Sequence, residues 1–372
     1  MRVTPFLFAS YSQPFAQTLK SDLKPNLDQQ FMRLALDEGA KGLGLTSPNP
    51  SVGAVIVRDG QVLGKGFTNI GGRPHAEREA FADCRAKGHD PQGCDIYITL
   101  EPCSTTGRTP PCTDAILENG VKRVIWAVTD PNPSHQGAAQ ELLMNAGVEV
   151  VTGVLEEEAE YLHRAFFKVQ RTGLPWIIVK TAMSLDGRIT RPPGEGQWLT
   201  GKEAREDVQI IRGEVDAILT SGQTARNDNP RLDYRGLRLE KKQPVRLVYT
   251  NQPQAGLSED AYLLKANDGG QTQFLKGNLT DNFQQLAQNG IQTILVEAGG
   301  NLVGQLLDSN LVDEWITYLA PLITGGDIPA VGGTGIASLK SRLHLEKVTY
   351  QQLGFDIRMR GLISQSLKKT SS

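Results

Sequence analysis

Apolar positions along the first part of the chain follow two alternating periods. Over 28–42 they recur at helical spacing, with Phe31, Leu34, Ala35 and Ala40 on one side. Gly42, Gly44, Ser47, Pro48 and Pro50 break that helix. Residues 52–57 read as a buried strand, Asp59-Gly60 as a hairpin turn, and 62–67 as the return strand. A helix over 75–85, a strand over 95–100 and a helix over 113–119 follow. A strand over 121–128, a helix over 138–146 closed by Gly147, and a strand over 148–152 complete the series. Such alternation predicts an α/β layered domain with a largely parallel part.

Residues 156–171 predict a charged helix, and Thr172-Gly173-Leu174-Pro175 reads as a linker. The rhythm then resumes with a strand opening at Trp176, a helix over 201–212, and strands over 216–220 and 245–250. A helix over 281–288, a strand over 293–296, a helix over 301–308 and a strand over 313–319 follow. The expected organisation is an extension over 1–27, a first α/β domain over 28–172 and a second over 173–372. There is no internal repeat or low-complexity tract.

A chain of 372 residues is long enough to bury two cores. Its formal net charge of −2 gives no electrostatic reason to expect nucleic acid or an acidic membrane as partner, so an anionic small-molecule ligand must be held by a few placed residues. No apolar run approaches the roughly 20 residues that cross a bilayer. Pro5, Pro14 and Pro25 interrupt the first segment, which reads as a disordered extension or, since its first acidic residue is Asp22, as an organellar presequence. The cysteines, Cys84, Cys94, Cys103 and Cys112, are too few for a disulfide framework and suit a reducing, cytoplasmic compartment.

Two of those cysteines sit among prolines, and they complete the strongest chemical pattern. His75-Ala76-Glu77 is followed by Glu101-Pro102-Cys103 and then by Pro111-Cys112. One imidazole and two thiolates make a three-ligand set suited to zinc, leaving a fourth position for water. Zinc lowers the pKa of bound water from about 15.7 toward about 7. Glu77, two residues after His75 at a helix start, can face that water and carry its proton. Cys112 at a helix N-terminus gains from the dipole, which favours thiolate.

This arrangement resembles the cytidine-deaminase-like superfamily, whose usual pattern is His-x-Glu followed by Pro-Cys-x-x-Cys. Here eight residues separate the cysteines, and that insert, Ser-Thr-Thr-Gly-Arg-Thr-Pro-Pro, resembles the riboflavin-biosynthesis deaminase. Pro48-Asn49-Pro50-Ser51-Val52-Gly53 and Asp130-Pro131-Asn132-Pro133 carry the same likeness. Thr105 and Thr106 stand where that family commonly has two histidines, a change confined to loop contacts with substrate. The resemblance implies His75, Cys103 and Cys112 as zinc ligands, Glu77 as proton shuttle, and Asn49 as a pocket residue whose amide either reads a pyrimidine edge or satisfies its own turn.

No Gly-x-Gly-x-x-Gly follows the first strand of either half, so a Rossmann dinucleotide site is not visible. Val296-Glu297-Ala298-Gly299-Gly300-Asn301-Leu302 reads instead as strand, glycine turn and helix, either a phosphate cradle or simply a tight turn. Residues 179–189, Val-Lys-Thr-Ala-Met-Ser-Leu-Asp-Gly-Arg-Ile, resemble the opening strand of the riboflavin-pathway reductase, a relative of dihydrofolate reductase. Trp198-Leu199-Thr200, Arg212, Thr224, Asp228-Asn229-Pro230-Arg231-Leu232 and Leu319-Ala320-Pro321-Leu322-Ile323 follow in matching order. The resemblance implies NADPH contacts at Met183, Trp198, Thr200, Thr224, Asp228, Gly299, Gly300, Asn301, Leu302, Val303, Gly304 and Gln305. It implies substrate contacts at Gly196, Arg212, Leu232, Arg235 and Glu297, with both arginines able to fork onto a phosphate. Gly196 stands where the family often has Ser. Lys180, in an otherwise apolar strand, must either meet a carboxylate, with Asp228 a candidate, or act on substrate as a catalytic residue.

The whole reads as a cytidine-deaminase-like three-layer α/β/α domain followed by a dihydrofolate-reductase-like α/β domain. The first would hydrolyse an amino group of a ribosylaminopyrimidine phosphate; the second would reduce its ribose with NADPH. The resemblance also implies a homo-oligomer, dimer or tetramer. Two rivals remain: a nucleic-acid-editing deaminase, which the near-neutral charge disfavours, and a second domain that binds nucleotide without reducing anything.

Overall fold

The computed structural model describes residues 26–106, 110–132, 137–189, 198–237, 242–252, 257–265, 270–335 and 343–364. The extension expected over 1–27 therefore lies almost wholly outside the described residues. The chain divides into two compact units between Arg171 and Thr172.

In the first unit, α1 (Leu27–Ala40) precedes the hairpin β1 (Gly53–Arg58) and β2 (Gln61–Phe67). Then come α2 (Ala76–Ala86), β3 (Asp95–Ile98), α3 (Cys112–Glu118), β4 (Arg123–Trp126), α4 (Ala138–Asn145), β5 (Glu149–Thr152), α5 (Glu156–Leu162) and α6 (Arg164–Thr172). The sheet order is β2-β1-β3-β4-β5, antiparallel up to β3 and parallel beyond it. Residues 54–57 of β1 are all buried, because α1 covers one face and α2 the other. Glycines permit that approach: a side chain at Gly53 would strike the Ala35 carbonyl of α1, and one at Gly64 or Gly66 the Ala80 backbone of α2. Three layers result, with Ile56, Ile96, Ile98, Ile125 and Trp126 at their centre.

The helix expected over 156–171 is broken at His163. That residue leaves helical ψ (φ −94°, ψ 8°) and is buried, its Nε2 lying 3.1 Å from Thr99 Oγ1. Thr99 Oγ1 also accepts the Gly53 N–H at 3.0 Å, so this kink is fastened to the sheet beside the metal-site segment. Burial pulls the His163 imidazole down to about 3, the Thr99 contact opposing it, and among the described residues its Nδ1 has no hydrogen-bond partner that would accept from it once protonated. A folded pKa below the unfolded value near 6.5 means that stability is whole above pH 6.5 and falls as acid charges the unfolded chain first. The loss should approach about 1.4 kcal/mol per pH unit from this residue. Urea unfolding followed in the first unit between pH 7 and 4 should show that slope, and His163→Gln should flatten it. An unchanged slope in the variant would contradict the account.

The second unit runs β6 (Trp176–Ser184), α7 (Lys202–Glu214), β7 (Ala217–Ser221), α8 (Gly222–Asp228), β8 (Val245–Tyr249), β9 (Thr272–Leu275), α9 (Leu279–Gln288) and β10 (Thr293–Val296). It ends with α10 (Gly300–Asp308), β11 (Glu314–Ala320), β12 (Leu345–Leu353) and β13 (Asp356–Ile363). The order is β12-β13-β11-β6-β10-β7-β8-β9, parallel from β11 to β9 and antiparallel across β12 and β13. Ile177, Val179, Leu219, Leu247, Ile294 and Val296 form its core. Because β6, β10 and β7 are adjacent and parallel, their C-terminal ends share one edge, where ligands enter such sheets. Sequence pattern had not indicated α8, β9, β12 or β13.

Candidate metal centre and reductase crevice

The metal-site residues arrive from two places in the first unit. His75 is the N-cap of α2 and Glu77 its second residue, so both leave the first turn of one helix. Cys112 opens α3 behind Pro111, whose missing N–H suits a helix start. Cys103 stands nine residues earlier, and its carbonyl accepts the N–H groups of Cys112 (3.0 Å) and Thr113 (3.2 Å). The donor atoms of His75, Cys103 and Cys112 all lie within 4.8 Å of one another. His75 Nδ1 is 3.3 Å from Cys112 Sγ and 3.6 Å from Cys103 Sγ. Zinc bonds of about 2.0 and 2.3 Å at a tetrahedral angle put nitrogen and sulfur about 3.5 Å apart, so the donor set fits that ion.

The electrostatics set the two thiols apart, and the helix N-terminus does not by itself make Cys112 the thiolate. The hydrogen bond with Cys112 lowers the Cys103 thiol well below its ordinary value against the cost of burial, with His75 helping. The same bond and burial push Cys112 up, so the two sulfurs readily share one proton. The Cys112 N–H also points at Cys103 Sγ at 3.3 Å. Glu77 is buried, and desolvation followed by the nearby Cys103 charge raises its carboxyl, with His75 opposing. A carboxyl raised in this way is suited to take up a proton and give it back.

Sequence reasoning had passed over Glu101 as more than a motif residue. Its buried carboxylate accepts the N–H groups of Asp130 and Gly137 at 3.2 Å and of Ala139 at 3.4 Å. It thereby ties the segment after β4 and the start of α4 to the cysteine segment. A Glu immediately before Pro-Cys at a strand end was the available signal. Asn49 donates through Nδ2 to the Gly72 carbonyl at 2.8 Å, which leaves its amide oxygen without a partner among the described residues. Thr105 and Thr106 are exposed.

In the second unit the structure gathers Lys180, Arg212 and Glu297 into one cluster. Lys180 Nζ lies 3.1 Å from Glu297 Oε2, so the lysine's partner here is Glu297 and not the expected Asp228. Arg212 forks onto the same carboxylate, Nε to Oε1 at 2.8 Å and Nη2 to Oε2 at 3.1 Å. Its Nη1 donates to the Asp233 carbonyl at 2.9 Å, so each of its three nitrogens already has an acceptor within the protein. Arg231 and Arg235, about half exposed, instead reach Asp233 at 2.9 and 3.2 Å. Leu232 is buried between them with φ +47°, and that strained backbone turns the loop.

The remaining expected contacts divide. Thr224, whose N–H is capped by Ser221 Oγ, and Gly299 are neighbours: a Cβ at Gly299 would be 3.8 Å from Thr224 Oγ1, with nothing closer. That approach is open. Gly300 and Gly304 are positions of close backbone approach. A side chain at Gly300 would meet the Pro329 carbonyl at 2.6 Å, and one at Gly304 would strike the Gly332–Gly333 backbone. Leu302 and Val303 are core residues, leaving their backbone for any ligand, while Asn301 and Gln305 are exposed. Trp198 is exposed, with Arg205 5.5 Å above its ring and bonded to the Thr200 carbonyl. Met183 is partly buried near the end of β6, and Asp228 ends α8. Gly196 lies outside the described residues.

Comparison with known proteins bears on both units. The cytidine and deoxycytidylate deaminase zinc-binding region matches residues 25–128, and the RibD C-terminal domain matches residues 175–359. Riboflavin biosynthesis protein RibD of Aquifex aeolicus is 37% identical over 351 residues, 89% of this chain and 97% of that protein. The Escherichia coli protein of the same name is 38% identical over 335 residues, 81% and 89% of the two chains. Among solved structures, Acinetobacter baumannii RibD superimposes with a TM-score of 0.80 at 35% identity, covering 91% of this chain and 99% of that one. A diaminohydroxyphosphoribosylaminopyrimidine deaminase/5-amino-6-(5-phosphoribosylamino)uracil reductase from Thermotoga maritima gives 0.77 at 32% identity, covering 90% and 99%.

Proposed function

The chain belongs to the RibD family and is a riboflavin-biosynthesis deaminase joined to a reductase, and from that premise we propose its substrates, cofactor and site residues. The first domain deaminates 2,5-diamino-6-(5-phosphoribosylamino)pyrimidin-4-one. The second reduces the ribosyl group of the product to ribityl, giving 5-amino-6-(5-phosphoribitylamino)uracil. The observation that carries this reading is the convergence of His75, Cys103 and Cys112 with Glu77 buried beside them.

His75, Cys103 and Cys112 hold zinc, which when bound makes a water acidic enough to deprotonate near neutral pH. Glu77 accepts a proton from the attacking water and gives it to the ring nitrogen; it then takes the proton left on the added hydroxyl and passes it to the leaving amine, so the carbonyl forms and ammonia departs. Asn49, through its unpartnered amide oxygen, accepts a hydrogen bond from the pyrimidine. In the second domain the hydride that C1′ of the ring-opened ribose imine receives would come from NADPH when that cofactor is bound. Thr224 and Gly299 leave room for the cofactor, and Met183, Trp198, Thr200, Asp228 and the first turn of α10 line its path. Lys180, held by Glu297, lies at the floor of the crevice as the catalytic cation. Phosphate binding falls to the exposed Arg235, with Leu232 as a wall, while Arg212 holds Glu297 in place.

The enzyme works in the cytoplasm, a reducing compartment that suits four cysteines of which none is in a disulfide. No helix among the described residues is long and apolar enough to cross a membrane. Tyr350, Phe355 and Ile357 are exposed on the edge hairpin β12–β13, a surface that a second copy would cover in a homo-oligomer.

NADPH absorbance, followed with the undeaminated substrate, tests both halves together. Zinc-replete protein should consume NADPH, and chelation should stop it until deaminated intermediate is supplied. Continued silence with that intermediate would overturn the reductase half.

A further inference from the structure

Two halves of the metal site come from separate chain segments, and Arg78 joins them. His75 and Glu77 belong to the start of α2, whereas Cys103 and Cys112 form one unit through the Cys103 carbonyl and sulfur. Those bonds within the cysteine unit do not reach α2. Arg78 follows Glu77 directly, and its Nη2 donates to the Pro110 carbonyl at 3.2 Å and the Pro111 carbonyl at 3.1 Å. Pro111 caps the helix that Cys112 opens. The guanidinium is therefore one residue from the proton shuttle at one end and one residue from a thiolate at the other. Prolines contribute no N–H of their own, so an external donor is what anchors this strip of backbone.

A second arginine on the same helix face provides the comparison. Arg85, seven residues or two turns along α2, donates through Nη2 to Asn119 Oδ1 at 2.5 Å, at the far end of α3. Both arginines bind α2 to α3, but only Arg78 does so at the metal. Groups outside the ligand set that orient ligands carry about 10–100-fold in metal affinity or activity.

We propose that Arg78 is a positioning residue that sets Cys112 against His75 and Glu77, and so governs both metal retention and the deamination step. The inference rests on the assignment of His75, Cys103 and Cys112 as ligands. In the full-length zinc-loaded chain, Arg78→Met should release zinc to a chromogenic chelator about tenfold faster and lower deaminase kcat about tenfold. KM should move little. Arg78→Lys, which can still donate to one carbonyl, should recover part of both. Arg85→Met should leave both at the wild-type value, and reduction of the deaminated intermediate by the second domain should be unaffected in every variant. Wild-type release and kcat in Arg78→Met, or equal losses in Arg85→Met, would reduce Arg78 to an ordinary helix contact. If Arg78→Met fails to fold, Arg78→Lys decides alone: intermediate values support the role, and wild-type values overturn it. A wild-type chain without a zinc equivalent would instead overturn the ligand assignment, and the role of Arg78 with it.

Discussion

Glu77→Gln should lower the deaminase rate about a thousandfold while the protein keeps its zinc and reduces the deaminated intermediate at the normal rate. Glutamine preserves the shape of a side chain that packs at the start of α2 with only 3% of its surface exposed. What it removes is the ability to accept a proton. Desolvation and the neighbouring Cys103 charge already raise the Glu77 carboxyl, so the native group exchanges protons at less cost than an exposed glutamate. The loss should fall on kcat and kcat/KM alike, because the proton moves only in the transition state. Zinc content should not change, since the three donor atoms are contributed by other residues. A zinc-loaded Glu77→Gln protein with normal deamination would remove Glu77 from the mechanism. A variant that also lost zinc would place Glu77 among the determinants of metal binding instead.

The metal half of this chain was legible because its chemistry is carried by rare residue types at element boundaries. His75 at an N-cap and Cys112 behind a proline are visible without knowing any contact. The crevice of the second unit was less so. There Lys180, Arg212 and Glu297 stand 32 to 117 positions apart, and pairing at such separations leaves no periodic trace. The missed strands have a physical reason as well. β13 buries Arg358 against the Asp207 carboxylate at 2.7 Å, and Asp207 also receives the Tyr318 hydroxyl. A strand whose inward positions hold arginine does not alternate apolar with polar. β12, at the sheet edge, is mostly half-exposed or exposed along its length. The glycine turn before α10 read equally as a phosphate cradle or a tight turn, and close packing of 329–333 gives a reason for the small residue at Gly300, as at Gly304.

Removing the charge of Glu297 should produce the largest stability effect in the second domain. Its carboxylate is shared by Lys180 at 3.1 Å and by the Arg212 fork at 2.8 and 3.1 Å, in a site where both cations are largely shielded from water. Burial alone would push the Glu297 carboxyl up, but the charges of Arg212 and Lys180 more than offset that and hold it well below the ordinary range. Glu297→Gln keeps the volume, takes the counter-charge from Lys180 and leaves Arg212 only the more distant Asp233 at 3.9 Å, a change that costs about 3–5 kcal/mol when an ion pair is truly buried. The sign with pH follows from the lowered pKa. Native stabilisation is complete above the ordinary carboxylate range near pH 4.5 and is lost as acid titrates the unfolded chain first, so the variant should show a shallower acid slope. Reduction should fail in the same protein, because Lys180 would lose the partner that fixes its position. The first unit, whose sheet and metal centre are built from other residues, supplies the internal reference: deamination should persist in Glu297→Gln. Calorimetry that showed both domains unfolding at the wild-type temperature would mean that Arg212 and Lys180 find other counter-charges, and Glu297 would then be a substrate contact without a structural role.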